Sequence, residues 1–197
     1  MRPKGVKVSL RMNFKRIRTP IILIFILFLT FIASHLIFKA VNHASYLKYL
    51  QAQWVGAKYL GDRDVIFQKK INDCGVTALK MIFEYYKIPS TSEKISKDVL
   101  REGNGLSMLS LKEMAELKGL KTECWRFALK DLKNIKLPAI AFVKGNHYVV
   151  ISEIKKNGKI IILDPAIGKL SYSLQKFQNI WKGETLIFES SKEGGDN

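Results

Sequence analysis

The 197-residue sequence has few of the side chains from which metal and cofactor sites are built. It contains two cysteines and three histidines, and it lacks an HExxH motif, paired CxxC motifs and any cluster of His and Asp. A zinc site needs three or four such ligands at defined spacings. We therefore predict a protein that holds no metal ion and no cofactor.

Motifs for binding nucleotides and nucleic acids are also missing. A P-loop ends in Gly-Lys followed by Ser or Thr, whereas Gly158-Lys159 is followed by Ile and Gly168-Lys169 by Leu. No nucleic-acid recognition motif accompanies the excess of basic residues. The sequence therefore argues against an ATPase and against a nucleic-acid partner.

Acidic residues are absent from the first 20 positions, which carry seven of the Lys and Arg residues. The net charge is +16, of which +9 lies on the rest of the chain. Residues 21–38 form an apolar run that rises roughly 27 Å as a helix, close to the ~30 Å of a bilayer core. We predict a single membrane anchor in the lipid bilayer, with a cleaved signal peptide as the alternative. The positive-inside bias predicts a cytoplasmic N-terminus and an extracytoplasmic remainder.

Composition and periodicity divide the chain into five segments. These are a basic, disordered cytoplasmic arm (1–19), the transmembrane anchor (20–38), a juxtamembrane stalk (39–62), one catalytic domain (63–190) and a flexible tail (191–197). Trp54 fits an interfacial anchor in the stalk. In the catalytic domain, helical periodicity at residues 74–86, 93–101 and 109–119 precedes strand patterns and an Asn157-Gly158 hairpin. That order predicts an α+β fold.

One cysteine opens the clearest amphipathic helix of the domain. Cys74 follows two candidate N-cap residues, Asn72 and Asp73. Apolar side chains then recur at helical spacing and predict one buried face, namely Val76, Leu79, Ile82, Phe83 and Tyr86. The positive end of a helix dipole favours thiolate, which is the nucleophilic form of cysteine. The other cysteine, Cys124, lies in a strand pattern and is predicted to be a small buried residue.

A base and an orienting carboxylate follow the cysteine. His35 and His43 lie in or beside the apolar segment, which leaves His147, at the start of the run HYVVISEI, as the candidate base. Asp164 ends the next strand pattern. Cys, His and Asp in this order match the logic of a papain-like peptidase, with Cys74 as nucleophile, His147 as base and Asp164 as its orienting group.

The stretches QKKINDCGVTALKMI, NHYVVI and ILDPAIGKL closely resemble the double-glycine leader peptidases, which process bacteriocins and other exported peptides. The resemblance covers residues 65–188 and implies a papain-like fold. It also implies that Gln68 forms the oxyanion hole with the backbone N–H of Cys74. The implied substrate is a peptide cleaved after Gly-Gly or Gly-Ala. The implied partner is a separate exporter, because no P-loop is present in this chain.

Two questions stay open at the level of sequence. A two-residue turn at Asn157-Gly158 pairs Asp164 with Ile151, four residues or about 13 Å from His147. A bulge, a longer loop or a displaced strand end must close that gap. The alternative functions are an extracytoplasmic thiol isopeptidase or cell-wall amidase, and a non-catalytic domain that only docks substrate.

Overall fold

The computed structural model describes residues 14–89 and 106–190, with no account of the side chains of 14–19, 21 and 40–43. The predicted helix at 93–101, the first 13 residues of the arm and the tail at 191–197 lie outside the described residues. The chain divides into two units, Met1–Tyr46 and Leu47–Asn197.

The first unit is the larger part of a long helix, α1, Phe14–Trp54. The part from Ile22 onward is long and apolar enough to cross a membrane. Its hydroxyl groups bond to the helix itself, since Thr30 Oγ1 donates to the carbonyl of Leu27 at 2.9 Å and Ser34 Oγ to that of Phe31 at 2.8 Å. Residues 14–19, predicted to be disordered, are helical. The apolar segment supplies a helix nucleus to which the Lys and Arg residues before it add at little cost.

The second unit contains a seven-stranded antiparallel sheet, and with its helices it confirms the predicted α+β fold. The strands are β1 Lys58–Gly61, β2 Leu120–Arg126, β3 Ala139–Val143, β4 His147–Ile154, β5 Lys159–Asp164, β6 Gly168–Ser173 and β7 Trp181–Ser190. Their order across the sheet is β1-β6-β5-β4-β3-β7-β2. The central strand β4 carries His147 at its first residue.

Helices cover both faces of the sheet. They are α2 Cys74–Tyr85, α3 Met108–Glu116 and α4 Leu174–Ile180, with 3₁₀ turns at Ile71–Asp73 and Leu129–Asn134. Val150 packs with α2 and α3 in one apolar cluster, whereas Val149 and Ile151 pack with α4 and the end of α1 in another. Because successive strand residues face opposite sides, a sheet covered on both faces explains the unbroken apolar runs in β4 and β5.

The segment assigned to the stalk contributes β1, which pairs with β6 at one edge of the sheet. α1 ends in a Schellman motif, in which Gly56 N–H bonds the carbonyl of Gln53 and Ala57 N–H bonds that of Ala52. Gly56 has φ +78°, which favours glycine at this position. The chain therefore reverses after Trp54 and enters the sheet. Residues 64–67, predicted as a strand or an extended lead-in, are outside any strand.

The prediction that Cys124 is buried is wrong. Its strand, β2, is the other edge of the sheet and pairs only with β7. Leu120 and Thr122 are buried, but the strand is exposed from Glu123 onward, and Cys124 is an exposed thiol. The alternating pattern could not reveal that, among the described residues, α3 packs on this strand while its second half stays exposed.

Candidate active site

Cys74 is the first residue of α2 and is buried, with 7% of its surface exposed. Asp73 is the N-cap residue of α2, as predicted, but its side chain makes no capping bond, because a 3₁₀ turn at Ile71–Asp73 precedes the helix. The Asp73 carboxylate accepts from the N–H of Lys70 at 3.1 Å rather than capping α2. This compact turn fixes the direction in which the chain enters the helix.

The buried face of α2 is the predicted one. Val76, Leu79, Ile82 and Phe83 are buried, and the Tyr86 hydroxyl donates to the carbonyl of Phe188 at 2.9 Å. Gly75, next to Cys74, lies where a Cβ atom would be 3.1 Å from Tyr148 and 3.3 Å from Leu111. The lack of a side chain therefore lets the first turn of α2 approach β4 and α3 closely.

His147 and Asp164 are in direct contact. Nε2 of His147 lies 3.0 Å from Oδ1 of Asp164, and Asp164 is buried. The same carboxylate oxygen accepts the N–H groups of Ala166 at 2.8 Å and Ile167 at 3.3 Å, which fixes it within its own turn. Because Nε2 faces Asp164, Nδ1 is the ring nitrogen left for Cys74.

Two irregularities in the β4–β5 hairpin make this contact possible. The turn is a three-residue loop, in which Gly158 N–H bonds the carbonyl of Lys155 and Lys155 N–H bonds that of Lys159. Gly158 has φ +74°, the left-handed conformation that such a loop requires. A bulge follows at Ser152, between the pairs Ile151↔Ile162 and Glu153↔Ile161.

Each irregularity shifts the register by one residue. Val150 pairs with Leu163, so Asp164 lies opposite Val149 instead of Ile151. The separation from His147 along β4 falls from four residues to two, on the same face. The side chains then span the remaining gap. No local sequence feature signals the bulge, although Gly158 is compatible with either loop.

The Cys74 thiol and the His147 imidazole form a side-chain hydrogen bond. Burial alone would raise the pKa of the Cys74 thiol, but hydrogen bonds from His147 and from the backbone of Tyr148 and Gly75 lower that pKa below its usual value. Burial likewise disfavours the charged imidazole, yet the hydrogen bonds to Asp164 and Cys74 raise the pKa of His147 to about 9. The site therefore stabilises thiolate beside imidazolium. Sequence reasoning missed the contribution of Tyr148, which immediately follows His147.

Gln68 lies next to the Asp164 turn, since its N–H donates to the carbonyl of Pro165 at 2.9 Å. Its side-chain nitrogen faces the carbonyls of Lys70 at 3.0 Å and Ile71 at 3.2 Å. The buried Oε1 atom has no hydrogen-bond partner within the described part of the chain. The amide is thus held within the turn that leads to Cys74.

A cleft of about 540 Å³ opens beside the thiol. Apolar and polar groups line it in similar proportion, and its residues come from the turn before α2, the start of α3 and the β3–β4 loop, namely Ile71, Asn72, Cys74, Gly75, Leu106, Ser107, Phe142, Gly145, Asn146 and Tyr148. A cleft of this size accommodates a short extended peptide segment.

Cys74, which lines this cleft, lies together with His147 and Asp164. Comparison with known proteins identifies the family of the chain. The family model described as the Peptidase C39 family matches residues 62–193. The chain belongs to this family. It is a cysteine peptidase, and its relatives include peptidase domains that recognise the double-glycine motif.

Two curated relatives differ in how much of their length is matched. The Probable functional amyloid protease FapD of Pseudomonas aeruginosa is 28% identical over 160 residues, which cover 76% of this chain and 69% of FapD. The lactococcin-G-processing and transport ATP-binding protein LagD of Lactococcus lactis is 29% identical over 136 residues, covering 66% of this chain. That match spans only 19% of LagD.

A solved structure shares the fold. It is the double glycine motif protease of an AMS/PCAT transporter, crystallised in complex with the leader peptide. Its sequence is 29% identical, the TM-score is 0.61, and the match covers 64% of this chain and 91% of that protease. The residues matched by the family model, 62–193, lie in the second unit.

Proposed function

We propose that the protein is a membrane-anchored endopeptidase that cleaves a peptide bond after Gly-Gly or Gly-Ala in the leader of an exported peptide. The contact between His147 and Asp164 at 3.0 Å, with the Cys74 thiol on the other side of the imidazole, is the observation that carries this proposal. Such an arrangement supports acyl transfer through a thioester.

In this mechanism the Cys74 thiolate attacks the scissile carbonyl carbon and forms a tetrahedral oxyanion. His147, as imidazolium, gives its Nδ1 proton to the leaving amine as the C–N bond breaks, which leaves a thioester on Cys74. Water then attacks the thioester while His147 accepts a proton from it. The acid is released and the thiolate–imidazolium pair is restored.

Asp164 would hold the imidazole with Nδ1 toward Cys74 and stabilise its charge. The oxyanion would lie between the backbone N–H of Cys74 and the side chain of Gln68. The Gln68 amide carries two hydrogens, so one can remain with the carbonyls of Lys70 and Ile71 while the other donates to the oxyanion. The proximity of Gln68 to the Asp164 turn supports this role.

The substrate class rests on the likeness to the double glycine motif protease that binds a leader peptide. Small residues before the scissile bond would let a peptide backbone approach the buried Cys74 thiol. A second candidate substrate is a protein of a functional amyloid system. The match to FapD favours it, because that match covers more of the chain than the match to LagD does.

Among the alternatives, a non-catalytic docking domain would not need a thiolate stabilised by a buried imidazole, which disfavours it. An isopeptidase or cell-wall amidase would use the same thiol chemistry. Membrane anchoring is supported by the apolar length of α1. The seven basic residues before its apolar run favour a cytoplasmic N-terminus and an extracytoplasmic peptidase domain. The exporter would then be a separate protein chain that delivers the substrate.

A substrate panel tests the proposed function. The full chain in detergent micelles is incubated separately with three kinds of substrate. The first is a set of peptides whose leader ends in Gly-Gly, Gly-Ala or Leu-Leu. The others are an amyloid-forming protein with internal Gly-Gly sites and muropeptides. We expect cleavage directly after Gly-Gly and Gly-Ala and none after Leu-Leu. Hydrolysis of muropeptides alone would contradict the proposal and support the amidase alternative. Cleavage of the amyloid-forming protein alone would support the second substrate class.

A further inference from the structure

Lys48 connects the last turns of α1 to the segment that leads into the active site. Its Nζ atom donates to Oδ2 of Asp62 at 2.7 Å and lies 3.8 Å from the centre of the Phe67 ring. The other carboxylate oxygen of Asp62 accepts the hydroxyl of Tyr59. One ammonium group therefore contacts both ends of residues 62–67, immediately before Gln68.

The same segment is attached to the β5–β6 turn that holds Asp164. The carboxylate of Asp64 pairs with Lys169 at 2.8 Å, and the backbone of Gln68 bonds Pro165. Gly168 pairs with Asp164, and a Cβ atom at Gly168 would be 2.8 Å from Tyr59 and 3.0 Å from Asp62. Close packing at Gly168 leaves little room for Asp62 to shift.

The packing around Lys48 has the features of a specific link. Burial raises the pKa of Asp62, but the hydrogen bonds from Lys48 and Tyr59 lower it by more, so the carboxylate remains charged. Ala52, one turn after Lys48, is fully buried against the sheet. The helix end is thus fixed to the sheet, and Lys48 extends from it to the active-site segment.

We propose that Lys48 is a positioning residue for the peptidase reaction. By holding Asp62 and Phe67, it places Gln68 beside the Asp164 turn, so turnover depends on the last turns of α1. This inference rests on the proposed oxyanion role of Gln68. It gives the helix that carries the candidate membrane span a part in setting the geometry of the active site.

The test compares three variants of the full chain. Lys48→Met retains the apolar stem but removes the charge, Lys48→Arg retains both contacts, and Lys112→Met is the control. Lys112 also pairs with a carboxylate, Glu116, and its side chain is 28% exposed, against 27% for Lys48. Each variant is assayed for kcat, KM, thermal midpoint and the rate at which iodoacetamide labels Cys74 in a Cys124→Ala background.

We expect Lys48→Met to lower kcat roughly 10-fold, less than the ~10²-fold that a ~1 Å misplacement can cause, with KM and Cys74 labelling nearly unchanged. Lys48→Arg should retain wild-type turnover, as should Lys112→Met. General loss of structure would instead lower the thermal midpoint and change Cys74 labelling as well. If Lys48→Met has the same kcat as Lys112→Met, the proposal is overturned.

A double-mutant cycle with Gln68→Ala tests the route of the effect. Once Gln68 is removed, Lys48→Met should lower kcat no further. If the two losses multiply, Lys48 does not act through Gln68 and the inference fails. If Gln68→Ala alone leaves kcat unchanged, the oxyanion assignment itself is wrong. If Gln68→Ala lowers kcat but Lys48→Met leaves it unchanged, only the positioning role of Lys48 is refuted.

Discussion

His147 and Asp164 are joined by a 3.0 Å contact between Nε2 and Oδ1, although 17 positions separate them in the chain. Asp164 is in turn fixed by the N–H groups of Ala166 and Ile167. The imidazole therefore contacts a carboxylate that is hydrogen-bonded to the backbone of its own turn without any substrate present. Preorganisation of this kind lowers the barrier of an acyl transfer, because no group must reorganise during the reaction.

Substitutions at this pair should differ in severity. His147→Ala removes proton transfer, which contributes ~10²–10⁴-fold, so kcat should fall by that order. Asp164→Asn should lower kcat less, since the base itself remains. Asp164→Ala also removes the side-chain acceptor of the Ala166 N–H, while the Ile167 N–H keeps the backbone carbonyl of residue 164, and it should lower the free energy of unfolding by ~1–3 kcal/mol. Steady-state kinetics and thermal unfolding measure these effects. Wild-type activity of Asp164→Ala would refute the orienting role.

Alkylation of the two cysteines should depend differently on pH. The lowered pKa of Cys74 keeps its thiolate as the pH falls, and the pKa of His147, about 9, keeps the imidazolium until the solution becomes that alkaline. Activity should therefore be bell-shaped, with its alkaline limb near pH 9. Cys124 is exposed, but partial desolvation by its neighbours raises its pKa, so only that thiol should need alkaline conditions for alkylation. Mass spectrometry after iodoacetamide treatment at several pH values measures the alkylation of each cysteine separately. Equal pH profiles for both thiols would count against the ion pair.

Gly75→Ala should separate activity from stability. The added methyl meets Tyr148 and Leu111 and pushes the first turn of α2 by a few tenths of an ångström. Overpacking costs ~1–3 kcal/mol, while alanine in a helix returns ~0.5–1 kcal/mol, so the net loss of stability should be about 1 kcal/mol. The fall in kcat should be larger than this loss of stability alone would cause, because Cys74 is displaced. Glu84→Ala, at an exposed position of the same helix, is the control. Unchanged turnover would mean that the thiol position tolerates the shift.

The α+β order, helices α2 and α3 and strands β2 to β7 were predictable because their apolar periodicities are strong, whereas β1 lies in the segment predicted as the stalk. His147 and Asp164 were also predicted as partners on the same sheet face. Their register was not predictable, since a bulge at Ser152 depends on packing across the sheet rather than on local sequence. Asp73 was predicted correctly as the N-cap residue of α2, but its carboxylate accepts the Lys70 N–H within a 3₁₀ turn instead of capping the helix.

Contacts distant in sequence account for the other differences. The Schellman motif at Gly56 had a local signal, a glycine after an apolar helix, yet the pairing of β1 with β6 had none. The link from Lys48 to Asp62 spans 14 residues and depends on that reversal. The exposure of Cys124 follows from the place of β2 at a sheet edge, which only the complete strand order reveals.

Membrane topology should follow the basic N-terminal residues. With the arm in the cytoplasm, residues 63–190 should be digested when intact spheroplasts are treated with protease. A cytoplasmic reporter protein that stays intact serves as the control for leakage. If the domain is protected until the membrane is permeabilised, it is cytoplasmic and the proposed orientation is wrong.

Cleavage of a double-glycine leader peptide by single-cysteine variants tests the assignment of Cys74 most directly. The two free thiols allow a matched comparison between Cys74→Ala and Cys124→Ala, with circular dichroism to verify the fold of each. We expect no cleavage above background from Cys74→Ala and wild-type cleavage from Cys124→Ala, which also forms a thioester on Cys74 visible by mass spectrometry. Wild-type cleavage by a folded Cys74→Ala variant would contradict the account.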